Sequence, residues 1–455
     1  MVQTAKRRFN MTFSSSISPL DDRYLKDIYP LNEIFGEYGL MERRVFVEIR
    51  YLKTFLNVTG KADLWDDNFN KISELFNHES FLEIKAIEKD TKHDVASVIE
   101  FIKRRVPESV KPYVHFALTS EDVNNLSHAL QLRDGKEFLL KAFSSIIENI
   151  IEKAEASKSV IMIGRTHGEV ATPTSMGKEL AIHAVRLAKI YKEIQETPIE
   201  GKILGATGNL NAFVGTFPNV DWIETVETFV ADLGFTPNIF TVQIMSGDTY
   251  AKLFDTIRRG LGILIDFDQD IWNYFMLGYL YQKADSKSIG SSTMPHKINP
   301  IKFENSEGNA QLAESLFIFL STKLIKTRLQ RDLTDSTVKR NMGLAFGHAL
   351  LALKIANSGV SDLLVNSTRI QDELMANGQF FSELLQLMER EKGSSEGYDD
   401  VKKSLRGKRV SYDEMVTALL NLGISQQTID TYLNGLTLEL TEKAIIYCEQ
   451  VLVSR

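Results

Sequence analysis

All ten prolines of this 455-residue chain lie at or before Pro300. The span from 113 to 172 holds none, and neither does anything after 300. Proline fixes φ and lacks an N–H donor, so helix interiors exclude it and long proline-free spans suit long helices. The apolar spacing agrees. Thr172-Pro173 reads as the N-cap and first turn of a helix carrying Met176, Leu180, Leu187, Ile190, Tyr191 and Ile194 on one stripe. A second helix is predicted from about Tyr250 to Leu277, and a third from near Asn309, with Leu312, Leu316, Leu320 and Leu324 at helical spacing. Short strands are predicted only around Pro237–Val242. The expected fold class is therefore all-α. Helices of about 25 residues are roughly 35–40 Å long, and side by side they form a bundle. Phe317 and Phe319 lie off the stripe of the third helix, which predicts that it is buried all round, as in a core shared between subunits. Pro107 and Pro112 place one boundary near 114, and Asn357-Ser358-Gly359 places another near 360. The expected domains are 1–114, a central bundle 115–360, and 361–455.

Composition narrows the function. Hydrophobic content of 43% and charged content of 25% are those of a globular protein. The net charge of −7 argues against a nucleic-acid partner. No apolar run is long enough for a bilayer, and no apolar stretch follows Lys6-Arg7-Arg8 as a secretory signal requires. The single cysteine, Cys448, cannot form an intrachain disulfide and fits a reducing compartment such as the cytoplasm. None of the eight histidines forms His-Glu-x-x-His, so no metal is expected. Asp266-x-Asp268-x-Asp270 is not a calcium loop, because Ile271 stands where glycine must turn the chain. Gly260-x-Gly262, inside an apolar helical pattern, reads as close helix packing.

Five polar clusters carry the candidate chemistry. Gly290-Ser291-Ser292-Thr293-Met294-Pro295-His296-Lys297-Ile298-Asn299-Pro300 is a shaped loop, with hydroxyls and backbone N–H groups in the pattern of an anion nest and with Lys297 and Asn299 close behind. Arg165-Thr166-His167-Gly168 sets a histidine between small residues, where it is either a satisfied loop side chain or a proton carrier. Thr119-Ser120-Glu121-Asp122 is first a helix cap, and the same N–H groups suit a carboxylate. Thr91-Lys92-His93-Asp94 is either a helix surface or part of a site. The segment Arg328–Arg340, rich in arginine and hydroxyls, is either a solvated face or a phosphate grip.

Taken in order, these segments resemble the fumarase/aspartase superfamily. The resemblance rests also on Ser18-Pro19-Leu20-Asp21-Asp22-Arg23-Tyr24, on Phe303 through Asn309 and on Arg406-Gly407-Lys408-Arg409-Val410, and it spans nearly the whole chain. His296, where fumarases usually carry glycine and argininosuccinate lyases glutamine, points to the adenylosuccinate lyase branch of bacterial type. Glu169 and Lys92 depart from the usual pattern. The resemblance implies a three-domain fold with a central long-helix bundle and a homotetramer whose sites are shared between subunits. It also implies β-elimination of fumarate from adenylosuccinate and from the succinylated carboxamide ribotide of purine synthesis, with no cofactor. Ser291 would be the base and His167 the acid. Arg23, Tyr24, Arg331, Ser336 and Arg340 would take the phosphate. Thr119, Ser120, Lys297 and Asn299 would take the carboxylates, and His93, Asp94, Gln243 and Asn305 the base, ribose or succinyl groups. The flanking Lys92, Ile298, Thr337, Val338 and Lys339 fall in the same binding segments, and 285–297 would form a closing lid. The alternatives are another lyase of the superfamily, such as one acting on argininosuccinate, or a catalytically silent nucleotide-binding bundle.

Overall fold

The computed structural model describes residues 16–283, 294 and 297–453. Its architecture is all-α. In chain order the helices that matter here are α1 (Leu25–Phe35), α2 (Glu37–Val58), α3 (His78–Thr91), α4 (Asp94–Lys103) and α5 (Ser120–Ala156). A hairpin of β1 (Ile161–Thr166) and β2 (Glu169–Ser175) follows, then α6 (Met176–Glu196), α7 (Asp248–Leu277) and α8 (Ile301–Leu324). The short α9 (Thr334–Lys339) leads to α10 (Met342–Ser361) and α11 (Ser367–Met375), and further helices run to Val453. No helix among the described residues is long and apolar enough to cross a membrane.

The second predicted helix is observed as α7, and Asp266, Asp268 and Asp270 lie along it as expected. Four local expectations differ from the structure. Thr172-Pro173 does not start a helix: both residues belong to β2, and α6 begins at Met176. Pro173 faces Ile163 where the ladder shifts register between Ile163 and Arg165, an irregularity that tolerates a residue without an N–H. The third helix starts at Ile301, directly after Pro300, whose carbonyl accepts from Phe303 N–H at 3.1 Å. The apolar stripe begins later than the helix because its first turns carry polar residues. In the region of Pro237–Val242 only Thr236–Pro237 pairs, in parallel with Glu200–Gly201. Helix α10 also passes through Asn357-Ser358-Gly359 and ends just beyond, at Ser361. Gly359 serves packing there, since a Cβ would stand 2.8 Å from the Phe303 ring.

The chain divides into two compact units. The first comprises the described residues up to Leu139, with Glu196–Arg258 and Leu312–Leu351. One of its cores joins α2, α3 and α4 through Met41, Val45, Ile49, Ile84, Val98 and Phe101. A second packs Phe254, Phe317 and Phe346, with the Phe317 and Phe346 ring centroids 5.5 Å apart. The second unit comprises Leu140–Gln195, the described part of Arg259–Gln311 and the chain from Ala352. Here β1 inserts Ile163 into a core with Leu374, Phe380, Phe381, Met415 and Leu419. Gly260 allows close packing, as its sequence context predicted: a Cβ would meet Ile190 and Phe143 at 2.8 and 2.9 Å.

Helix α8 is not buried all round within one chain. Leu312, Ile318 and Phe319 are 52%, 49% and 53% exposed.

Candidate active site

In the second unit, β1 and β2 are joined through Thr166 and Glu169, which pair across the ladder and leave His167-Gly168 as the turn. Both turn residues have positive φ, 55° and 80°, as in a type I′ turn, whose twist matches that of the flanking strands. Histidine tolerates this region better than most residues. The turn holds His167 exposed at the tip of a hairpin whose base is anchored in a core. Arg165, beside it, donates from Nη1 to the Gly168 carbonyl at 3.2 Å and pairs through Nη2 with Glu373 of α11.

Lys297 and Ile298 are exposed, and Asn299 is half-buried. Asn305, in the first turns of α8, accepts from Asn309 Nδ2 through its side-chain oxygen at 2.8 Å. Ser291, the nest at 290–292, His296 and most of the 285–297 segment lie outside the described residues.

The remaining candidates belong to the first unit, where many sit in two groups of paired charges. Asp94 bridges Arg44 Nη2 at 2.8 Å and Arg340 Nη2 at 2.7 Å. Burial opposes its charge, but the Arg44 guanidinium, the Val95 N–H and Arg340 outweigh it and hold the carboxyl at about 2. Arg340 also donates to Glu37 at 3.0 Å, and Arg44 to Asn124 at 2.9 Å. The buried Lys339 ammonium contacts Glu121 and Asp335, each at 2.9 Å. Burial works against its charge, but these two carboxylates raise its pKa overall. Arg331 approaches Glu121 at 3.7 Å and donates to Gln243 at 3.2 Å. Gln243 in turn donates to the Ala206 carbonyl. Burial, then the Lys339 charge, push His128 down to about 3, so it remains neutral.

Thr119 and Ser120 stand at the start of α5, where the Asp122 carboxylate accepts from the Thr119 N–H at 2.9 Å. Asp122 also accepts from Lys202 Nζ and from the N–H groups of Leu204 and Gly205, which fixes this helix start rigidly. The preceding segment carries two left-handed residues, His115 and Ala117, with φ of 63° and 60°. His115 Nδ1 lies 2.6 Å from the buried Glu48 carboxylate. Burial disfavours the imidazolium, but Glu48 outweighs it and the pKa is raised.

His93 is the N-cap of α4: the Ala96 N–H donates to its Nδ1 at 3.2 Å. Lys92 is exposed at the left-handed C-cap of α3. Arg23 lies over the Tyr24 ring at 5.6 Å. In α9, Ser336 and Val338 are half-buried and Thr337 is exposed. Thus Asp94 and Arg340 meet in one charged group with Arg44 and Glu37, and Lys339, Arg331 and Gln243 meet in another around Glu121, which follows Thr119 and Ser120 in the chain; among the described residues Arg23, Tyr24 and Lys92 make no hydrogen bond or ion pair with either group.

Sequence reasoning missed Arg44, Glu48, Glu121 and Glu373. For the first two a signal existed. Arg44 and Glu48 sit at core spacing among Met41, Val45, Ile49 and Leu52 of α2, and a charge on an apolar face needs a partner.

A lyase family model matches residues 54–313, and the model described as adenylosuccinate lyase C-terminal matches 327–440. The adenylosuccinate lyase of Haemophilus influenzae is 40% identical over 449 residues, covering 94% of this chain and 98% of that protein. The chain belongs to the adenylosuccinate lyase family. The Escherichia coli K12 member is 41% identical over 91% of this chain and 93% of its own length. Among solved structures, 3-carboxy-cis,cis-muconate lactonizing enzyme from Pseudomonas putida superposes with a TM-score of 0.77 at 18% identity, covering 96% of this chain and all of that one. Fumarate lyase from Mesorhizobium sp. BNC1 gives 0.73 at 16% identity, with 92% and 97% covered. These likenesses establish the shared fold. Within the adenylosuccinate lyase family, the Arg165–Gly168 run and the Arg331–Arg340 segment are thus parts of a lyase.

Proposed function

We infer that this member of the adenylosuccinate lyase family cleaves adenylosuccinate to AMP and fumarate in purine nucleotide biosynthesis. The observation that carries this reading is the identity of about two residues in five with adenylosuccinate lyases along nearly the whole length of both chains. Cleavage of the succinylated carboxamide ribotide to its amide and fumarate is the second proposed reaction, since it breaks the same kind of bond.

In the proposed mechanism the Ser291 alkoxide removes a proton from Cβ of the succinyl group. The electron pair forms the C=C bond of fumarate as the C–N bond breaks, and His167 delivers a proton to the departing nitrogen. His167 suits that task because the turn fixes its backbone while leaving the ring accessible. The α5 N-terminus with Thr119 and Ser120, and Lys297 with Asn299, would hold the carboxylates, as oriented N–H groups and cations favour anions. Arg331 and Arg340, with Ser336, Arg23 and Tyr24, would hold the phosphate. Arg331 and Arg340 each commit only part of their five donors to neighbours, so forked donors are left for an oxyanion. Asp94, His93, Gln243 and Asn305 would contact the base, ribose or succinyl groups.

We further propose a cytoplasmic homotetramer in which the apolar face of α8 left bare by one chain is covered by other subunits. The three-domain division 1–114, 115–360 and 361–455 belongs to the same reading. The test is substitution of the two proton carriers. Ser291→Ala and His167→Ala should each lower kcat by about 10²–10⁴-fold while nucleotide still binds. Near-normal turnover in either variant sinks that assignment.

A further inference from the structure

The hairpin that presents His167 is held by a contact that the proposed chemistry does not require directly. Arg165 makes a two-sided connection. One guanidinium nitrogen donates to the carbonyl of Gly168, the residue after His167, and the other pairs with Glu373. Glu373 is itself fixed. Its side chain is only 12% exposed, Arg369 approaches its other oxygen at 3.6 Å, and its backbone carbonyl accepts from Asn377 Nδ2 at 2.7 Å. The buried Tyr279 hydroxyl sits against the pair, near enough to both Arg165 and Glu373 for each to act on its ionisation. Burial, and then the Glu373 charge, push that phenol up to about 12, so it adds no competing anion. Helix α11 also shares the core that receives Ile163. The turn is therefore tied to α11 at its strand and again at its tip.

We propose that Glu373 is a positioning residue for elimination: through Arg165 it clamps the His167-Gly168 turn, so that the left-handed His167 keeps one ring placement. This rests on the assignment of His167 as the acid. A turn with two positive-φ residues has nearby alternatives, because the left-handed conformation at a non-glycine residue costs roughly 1–2 kcal/mol. A planar guanidinium can hold a carboxylate and a carbonyl at once, whereas a lysine ammonium is a point charge without that fork.

The experiment measures kcat and KM for adenylosuccinate with the full-length enzyme carrying Glu373→Gln, Arg165→Lys, both together, or His167→Ala, with a thermal midpoint for each. Glu373→Gln and Arg165→Lys are each expected to lower kcat about ten- to a hundredfold, the worth of a lost charge-assisted contact, with KM little changed. The double variant is expected to be no slower than the worse single variant, because both break one linkage. Wild-type kcat in Glu373→Gln, a rise in KM alone, or losses that multiply in the double variant would overturn the clamp. If Glu373→Gln does not fold, Arg165→Lys carries the same test. His167→Ala separates the two claims. If it is inactive, a fully active Glu373→Gln removes the clamp alone; if it is active, the acid assignment falls and takes the clamp with it.

Discussion

Asp94 shows how single residues in the charged groups answer to pH. Its carboxyl is held at about 2 in the fold, below the roughly 3.9 of an unfolded chain. Its stabilising contribution is therefore complete above about pH 4 and disappears as the pH falls toward 2. Asp94→Asn should lose about 2 kcal/mol or more at neutral pH, and the difference from the native protein should shrink at pH 3, as read from urea unfolding at both values. His115 has the opposite sign. Glu48 raises its pKa, so its contribution is full below about pH 6.5 and is lost as the pH climbs through the raised value. A Glu48→Gln variant should be less stable than the native protein at pH 6 and closer to it at pH 9 by thermal midpoint. Some of this chemistry was legible in the sequence, because Arg165-Thr166-His167-Gly168 and the Arg328–Arg340 segment are contiguous. The partners were not: Glu121 meets Lys339, and Glu373 meets Arg165, across long separations in the chain, and only folding brings such groups together.

At the scale of elements, the long helices were readable from proline placement and apolar spacing, as α7 demonstrates. Their starts were less so. Proline is accepted both in a helix's first turn and at an irregular strand position, and Thr172-Pro173 has the second environment. The same hairpin yields a contrast between two kinds of glycine. A Cβ at Gly164 would stand 2.5 Å from the Thr172 carbonyl oxygen, a backbone atom that cannot step aside cheaply. At Gly168 the space is open but φ is 80°. Gly164→Ala should cost about 1–3 kcal/mol by overpacking. Gly168→Ala should cost about 1–2 kcal/mol through backbone strain alone. Thermal unfolding checks both, and a Gly164→Ala protein as stable as the parent would contradict this close packing against Thr172.

For the whole molecule, the decisive feature is what one chain leaves uncovered. The sequence showed apolar residues on several faces of α8, and the single chain buries only some of them, with Leu312, Ile318 and Phe319 half exposed. A chain read alone does not reveal its partners, so the proposed subunit arrangement rests on the family resemblance together with this uncovered face. Phe319→Asp should weaken assembly, seen as smaller species in sedimentation velocity, and activity should fall in parallel if sites are shared between subunits. An unchanged assembly state would remove the proposed role of this face. The central claim, that this protein eliminates fumarate from adenylosuccinate, is tested most directly by incubating the purified protein with adenylosuccinate and identifying the products. The account predicts AMP and fumarate in equal amounts. Adenylosuccinate bound but recovered intact, or turnover of argininosuccinate in its place, would contradict it.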